Sequence, residues 1–449
     1  MFAKSFIVAL FLTLGFVTLA HATPKIQHWQ APSGAQVYFV ENHDLPMLDV
    51  SVDFPAGSGF DQAEKSGLAG LTRSLLLLGS EGMSEDDISR GLADIGAQMG
   101  GNFDADRSGV SLRTLSSKTE RDAALRIISA ILQHPLFPQE VLQREKIRLI
   151  AALKEAETKP ESIAAKAFGK AVFGDHPYGL QPSGEVASIE KLQRSDLQSF
   201  YTTHYAAKSA VVALMGDVSR AEAEAIAQNL TAQLPAGGAS NVIPPVAQLT
   251  KASMLRVPHP ATQSHILVGA PGVARNDPDY FSLYVGNYIL GGGGFVSRLM
   301  NEVREKRGLA YSVYSYFIPM QQPGAFQIGL QTRKDQADDA LRLVNKILHD
   351  FIAQGVTEKE LQAAKQNIIN GFPLRIDSNK KILDYLGAIG FYHLPLTYLD
   401  DFPGKVSKVT VADIRAAFKR KINPDALATV VVGAPDAADK LDNAAGAGK

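Results

Sequence analysis

The amino-acid sequence predicts an α+β protein with two homologous domains, each built on a mainly antiparallel sheet with helices packed on it. Three observations lead to this fold class: the length of 449 residues, an internal duplication, and strand-like segments interleaved with helical ones. A chain of this length exceeds what a single hydrophobic core ordinarily serves, so two domains are expected.

The duplication consists of two matches at nearly the same offset. The segment 124–132 (ALRIISAIL) recurs at 340–348 (ALRLVNKIL), a shift of 216 positions. The segment 196–216 matches 413–433 at a shift of 217, with Asp, an aromatic residue and Gly at corresponding positions. Since helical periodicity alone does not place two such matches in the same order, each half of the chain is predicted to carry one copy of a repeated unit.

The local patterns predict similar elements in the two halves. In the first half we expect strands at 36–40, 48–54, 108–115 and 210–215, and helices from Ser66 (as N-cap) to Leu78, from 83–87 onward, at 119–132 and at 138–158. In the second half we expect strands at 264–270, 310–318, 324–332 and 427–432, and helices at 277–290, 295–306, 335–353, 357–370 and 410–421.

These elements suggest the following domain boundaries. We expect a signal peptide at 1–22, an N-terminal domain at 23–233, a linker at 234–250, a C-terminal domain at 251–436 and a flexible tail at 437–449.

The first residues carry the pattern of an export signal. Lys4 precedes an apolar stretch from Phe6 to Ala20, and Ala20 and Ala22 provide small residues for cleavage after Ala22. The alternative is an uncleaved membrane anchor, but this stretch is shorter than the roughly 20 residues that a spanning helix needs. We therefore predict a periplasmic protein with no stable membrane span after cleavage. The chain has no cysteine, and its net charge of −1 argues against nucleic acid as a partner.

Several motifs resemble those of a known peptidase family. They are Gly67-Leu68-Ala69, His176-Pro177-Tyr178-Gly179, Met215-Gly216-Asp217 and the block 290–317. With these motifs the mature chain resembles the pitrilysin/insulinase family of zinc peptidases, the inverzincins. It is most similar to the branch of two-domain subunits that work as two-subunit clamshells. The resemblance implies that this chain forms half of such a clamshell dimer.

The residues that hold zinc in active family members are missing here. In those members Gly-Leu-Ala is followed by His-x-x-Glu-His, which places two imidazoles on one helical face and a general base beside the zinc-bound water. The corresponding positions here are Gly70, Arg73 and Ser74, and the last ligand, a Glu on a later helix, aligns with Ala151 or Ala152. We therefore predict a degenerate zinc site, with no metal and no catalytic residue of this chain's own.

The substrate-binding element of the family, by contrast, is present. The resemblance implies that Arg304 and Tyr311 point into the chamber and donate hydrogen bonds to substrate carbonyl groups near the scissile bond, where negative charge develops. Alternatively, Arg304 forms a surface ion pair with Glu302 or Glu305, and Tyr311 packs within a strand. The run 291–294 (GGGG) lacks the Lys-Ser/Thr of a phosphate loop, so a hinge or a close backbone approach is favoured.

Together these residues indicate a non-catalytic subunit of a heterodimeric periplasmic zinc metallopeptidase. Its partners would be a homologous subunit that carries the zinc, and peptide substrates. The alternative is a catalytically dead peptidase-fold scaffold or a peptide-binding protein. A peptidase active as a homodimer would require a metal that these residues do not bind.

Overall fold

The computed structural model of the protein describes residues 24–238 and 242–434. The predicted signal peptide at 1–22, the predicted tail at 437–449 and three residues of the predicted linker lie outside the described residues. Within the described part, no helix combines the length and the apolar character needed to cross a bilayer.

Among the residues from 24 to 238, the first half contains eight strands and eight α-helices. The strands are β1 (Gln27–Gln30), β2 (Gln36–Glu41), β3 (Met47–Phe54), β4 (Gly79–Ser80), β5 (Met83–Ser84), β6 (Gln98–Gly100), β7 (Ser108–Leu115) and β8 (Val211–Gly216). The helices are α1 (Leu68–Leu76), α2 (Glu85–Asp94), α3 (Lys118–Gln133), α4 (Gln139–Ala156), α5 (Pro160–Phe173), α6 (Val186–Lys191), α7 (Arg194–His204) and α8 (Arg220–Thr231).

The second half contains five strands and six α-helices among the described residues. The strands are β9 (Ser253–Pro258), β10 (Gln263–Pro271), β11 (Ser312–Phe317), β12 (Ala325–Arg333) and β13 (Ala428–Ala434). The helices are α9 (Tyr280–Asn287), α10 (Ala337–Gln354), α11 (Glu358–Gly371), α12 (Asn379–Phe391), α13 (Tyr398–Lys408) and α14 (Val411–Lys421).

Two sheets of matching topology confirm the predicted fold class. The first has the strand order β1-β2-β8-β3-β7-β6, and the second has the order β11-β12-β10-β13-β9. Each is antiparallel except for one parallel pair, β2 with β8 and β13 with β9. From β2 to β6 the first sheet repeats the arrangement that the second shows from β9 to β11. The duplicated segments also form equivalent helices: α3 corresponds to α10, and α7 corresponds to α14.

The two halves exchange one helix each. Helix α5 from the first half packs on β10 and β13 of the second sheet, and α12 from the second half packs on β2, β3 and β8 of the first. Glycine permits the close packing of α12, because a Cβ atom at Gly390 would lie 2.6 Å from the Tyr38 ring. Each sheet is thus covered on one face by a helix of the other half.

A buried carboxylate links the two halves. Asp106, in the loop before β7, accepts hydrogen bonds from the Tyr178 hydroxyl, the Gln321 backbone N–H at 2.7 Å and the Tyr392 hydroxyl at 2.8 Å. Gln321 and Tyr392 belong to the second half. Burial raises the pKa of Asp106, and the three hydrogen bonds act in the opposite direction. Because a buried carboxylate needs such donors, this contact fixes how the halves meet.

Three sequence-based expectations for individual elements were wrong or incomplete. The helix predicted at 295–306 is broken into a 3₁₀ turn at Gly294–Val296 and a π-helical segment at Met300–Glu305, with an extended Ser297 between them. Ser66 does not cap α1, whose N-terminal N–H groups bind a side chain farther upstream. The predicted elements also omitted several helices, including α5, which begins with its Pro at the first helical position.

Candidate functional site

The positions of the missing zinc ligands line one cavity between α1 and α4. Gly70, Arg73 and Ser74 of α1 face Ala152 of α4 across a cavity of about 360 Å³. Ala152 lines the cavity and Ala151 does not, so the geometry favours Ala152 as the position that corresponds to the last ligand. The four positions therefore come together as the spacing implied, without a metal-binding group among them.

The groups in this cavity do not fit a zinc ion. Ser74 donates its hydroxyl to the Gly70 carbonyl oxygen at 3.0 Å, so the Ser74 hydroxyl is engaged by the backbone of its own helix. Arg73 brings a cation, which repels a metal ion, and its buried Nε has no hydrogen-bond partner. Nowhere in the described residues do three His, Asp or Glu side chains converge as ligands.

Packing is tight on one side of Gly70. A Cβ atom at Gly70 would lie 3.1 Å from the Pro182 carbonyl oxygen and 3.3 Å from the Phe103 ring. A side chain at this position would require these neighbours to shift by a few tenths of an ångström. The first zinc position is therefore packed most closely around glycine.

A buried carboxylate holds the start of α1. Asp61 accepts hydrogen bonds from the backbone N–H groups of Gly67 and Ala69, both at 2.8 Å. These bonds satisfy two of the donors that a helix leaves free at its N-terminus. Burial raises the pKa of Asp61 to about 7, although both hydrogen bonds lower it. The helix that would carry the zinc ligands thus remains anchored in the absence of metal.

Arg304 and Tyr311 lie together on the surface of the second half. The Arg304 guanidinium carbon lies 5.0 Å from the centre of the Tyr311 ring and 5.0 Å from that of Phe295, so the cation sits between two aromatic rings. Tyr311 precedes β11 and is 80% exposed, which excludes packing within a strand. The Arg304 Nε lies 3.6 Å from a Glu305 carboxylate oxygen, and Glu302 pairs instead with Lys306 and Arg307.

Sequence reasoning missed Phe295 as a member of this site. The helical pattern placed it on a buried face with Leu299 and Val303, but Phe295 is 66% exposed whereas the other two are fully buried. The signal was present in the preceding glycines, which interrupt the helix. We call Phe295, Arg304 and Tyr311 the aromatic–arginine stack.

The glycine run supports a close approach of two backbones. A Cβ atom at Gly291 would lie 2.5 Å from the Ser315 backbone nitrogen of β11. Beside it, the Asn287 amide donates to the Ser315 carbonyl oxygen at 3.0 Å and accepts from the Ser315 hydroxyl at 2.7 Å. β11 is one of the two edge strands of its sheet, and these contacts hold it at Ser315, four residues after Tyr311 of the aromatic–arginine stack.

Comparisons with known proteins agree with this architecture. The sequence model described as insulinase (peptidase family M16) matches residues 37–184, and the one described as peptidase M16 inactive domain matches residues 191–368. A crystal structure of a peptidase M16 inactive domain from Pseudomonas fluorescens superposes with a TM-score of 0.88 at 39% identity, covering 91% of this chain and 98% of that chain.

Some curated relatives are named as zinc proteases and one is named as a non-peptidase homologue. The chain is 27% identical over 423 residues to the non-peptidase homolog YmxG of Helicobacter pylori, covering 93% of this chain and 95% of that protein. It is also 27% identical over 405 residues to the uncharacterized zinc protease SCO5738 of Streptomyces coelicolor, covering 88% and 87%. Fold and site define a peptidase-like protein whose zinc positions hold no metal ligand in the described part of the chain. The chain belongs to the M16 peptidase family.

Proposed function

We propose that this protein is the zinc-less subunit of a heterodimeric periplasmic metallopeptidase. In this proposal a homologous partner supplies the zinc and the general base, and this chain supplies Arg304 and Tyr311 to the shared chamber. The observation that carries the proposal is the contrast between two sites on one chain. The metal positions hold no ligand side chain, while Tyr311 remains exposed beside a cation.

The chemistry of the pair suits a peptide carbonyl group. A guanidinium and a phenol are both hydrogen-bond donors, and neither Arg304 nor Tyr311 is buried in the core. Donors fixed beside an oxygen that gains negative charge stabilise the transition state more than the bound substrate. Two aromatic rings limit the movement of the Arg304 guanidinium, which favours a defined geometry.

The decisive experiment compares this chain, its copurifying M16 partner and their mixture in a fluorogenic peptide assay. We expect turnover only in the mixture, and we expect a zinc chelator to abolish it. Equal turnover by the partner alone would contradict the proposal, and so would turnover by this chain alone. The control is a partner variant whose zinc-binding histidines are replaced. The mixture of this variant with the chain should show no turnover.

Phe295 gives a more specific prediction about the stack. Phe295→Ala removes one of the two rings around Arg304 and should lower kcat of the mixture by about 10-fold, because the guanidinium loses its fixed orientation. Val296→Ala is the matched control, since Val296 is the next exposed apolar residue of the same turn and does not contact Arg304 through a ring. Equal effects of the two substitutions would argue against a positioning role.

A second candidate function is peptide binding without cleavage. It is favoured by a cavity of about 570 Å³ that follows the edge strand β11 and needs no metal to hold a ligand. Binding of peptide by this chain, combined with the absence of turnover in every mixture, would support this candidate over the first.

A further inference from the structure

The cavity beside β11 contains a single charged side chain. Its walls are formed by the backbone and side chains of Ser312–Phe317, by the glycine run and by the aromatic residues Tyr280 and Tyr284. Among the residues that line it, Arg275 alone carries a charge. A ligand that fills this space therefore meets one cation in otherwise neutral surroundings.

Arg275 lacks the partners that usually neutralise an arginine. Its Nε is buried without a hydrogen-bond partner, and its guanidinium carbon lies 5.1 Å from the centre of the Tyr392 ring. In the described part of the chain, no carboxylate forms an ion pair with it at 4.0 Å or less. The nearby Asp277 and Asp279 are already paired with Lys421 and Arg420. An anion in the cavity that Arg275 lines would supply the counter-charge that the described residues do not provide.

A second cavity adjoins Arg275 and carries charges of both signs. It has a volume of about 460 Å³, shares Arg275 and Tyr280 with the first, and is also lined by Lys405, Lys408, Asp277 and Asp413. The Lys405 ammonium lies 5.4 Å from the centre of the Phe281 ring, so it too contacts an aromatic face. This second lining thus carries three cations and two carboxylates, and one of these carboxylates, Asp277, is already paired with Lys421.

The position of Arg275 along the strand indicates what kind of molecule carries the anion. The Arg275 backbone N–H donates to the Met320 carbonyl oxygen at 2.8 Å, which places Arg275 beyond the C-terminal end of β11. Tyr311 and the aromatic–arginine stack lie at the N-terminal end of the same strand. The cavity follows β11 from Ser312 to Phe317, so an extended peptide held in it would run from one site toward the other.

We propose that Arg275 binds a carboxylate of a peptide that lies along β11, either its C-terminal carboxylate or an acidic side chain. The site anchors the peptide at the end of the strand opposite to Tyr311. The inference rests on the peptide-handling role proposed above. It adds that the preferred peptide carries a negative charge where it meets Arg275.

Binding to this chain alone tests the inference without a partner or zinc. Four fluorescent peptides of one uncharged, strand-forming sequence serve as probes: a free C-terminal acid, its amide, the amide with one central Glu, and the amide with Gln in that place. We expect one of the carboxylate peptides to bind about 10–100-fold more tightly than its neutral counterpart in fluorescence anisotropy. The acid peptide and the Glu peptide distinguish the two sources of the carboxylate.

Arg275→Gln should remove this preference while leaving the affinity for the amide peptide unchanged. Arg333→Gln is the matched control, because it removes one exposed arginine of the same half at a distance from the cavity and should keep the preference. A thermal unfolding curve of Arg275→Gln checks that the variant folds without the contact between Arg275 and Tyr392. Arg275→Lys retains the charge and should keep part of the preference.

Three results would overturn the inference: equal binding of charged and neutral peptides, a preference that survives Arg275→Gln, or no binding of any of the four peptides. These results leave the role of Arg304 and Tyr311 to the turnover assay with the partner, so a failure of one proposal can be distinguished from a failure of the other.

Discussion

Asp106→Ala is expected to lower the free energy of unfolding by about 3–5 kcal/mol, the largest stability effect that we predict for a single side chain of this protein. The substitution leaves two tyrosine hydroxyls and one backbone N–H without their buried acceptor, and each such loss costs about 1–3 kcal/mol. Urea unfolding followed by far-UV circular dichroism measures the change.

Two further variants make the Asp106 experiment specific. Asp106→Asn keeps the shape and one acceptor oxygen, so it should fall between the wild type and Asp106→Ala. Asp335→Ala is the matched control, since it removes a carboxylate from an exposed ion pair with Arg333 and should cost less than about 1 kcal/mol. A loss of less than about 1 kcal/mol for Asp106→Ala would mean that the two halves are held mainly by apolar packing.

Arg304→Ala is expected to lower kcat of the reconstituted heterodimer by about 100-fold, and Tyr311→Phe by a similar factor. Removing one donor to a developing oxyanion costs about 10²–10³ in rate in other enzymes, and each substitution removes one such donor. The assay is the fluorogenic peptide hydrolysis of the mixed subunits at saturating peptide.

The control for this pair is Arg307→Ala. Arg307 is an exposed arginine three residues along, held by the Glu302 carboxylate, and its removal should leave turnover unchanged. Unfolding midpoints of all three variants should match that of the wild type, because Tyr311 is exposed and Arg304 is only half-buried. Turnover that survives both Arg304→Ala and Tyr311→Phe would remove the basis of the proposed function.

Much of the fold followed from sequence because its signals are local. The alternation in β3 and β7 and the apolar periodicity of α3 and α10 each arise within a few turns of chain, and the duplication made the second half a check on the first. The zinc positions could also be predicted from the sequence, since the spacing within one helix determines which residues share a face. The alignment between α1 and α4 left Ala151 and Ala152 open, and of the two only Ala152 lines the cavity.

The remaining features depend on contacts between distant residues. Asp61 caps α1 because the intervening 3₁₀ turn folds its carboxylate back onto the helix start, which no capping pattern at Ser66 reveals. The exposure of Phe295 depends on where the glycine run ends the preceding helix. Arg275 belongs to no motif, and only the cavity that it lines distinguishes it from the other arginines.

The exchange of α5 and α12 also constrains the order in which this protein is made. The apolar face of the first sheet that includes Val40, Val211 and Met215 belongs to the same core as the second half. Its covering helix ends only at Phe391, so a growing chain has synthesised most of its length before this face is covered. A gene split between the halves would yield two products, each of which lacks the helix that covers one face of its sheet. The two copies of the ancestral duplication have therefore become a single folding unit.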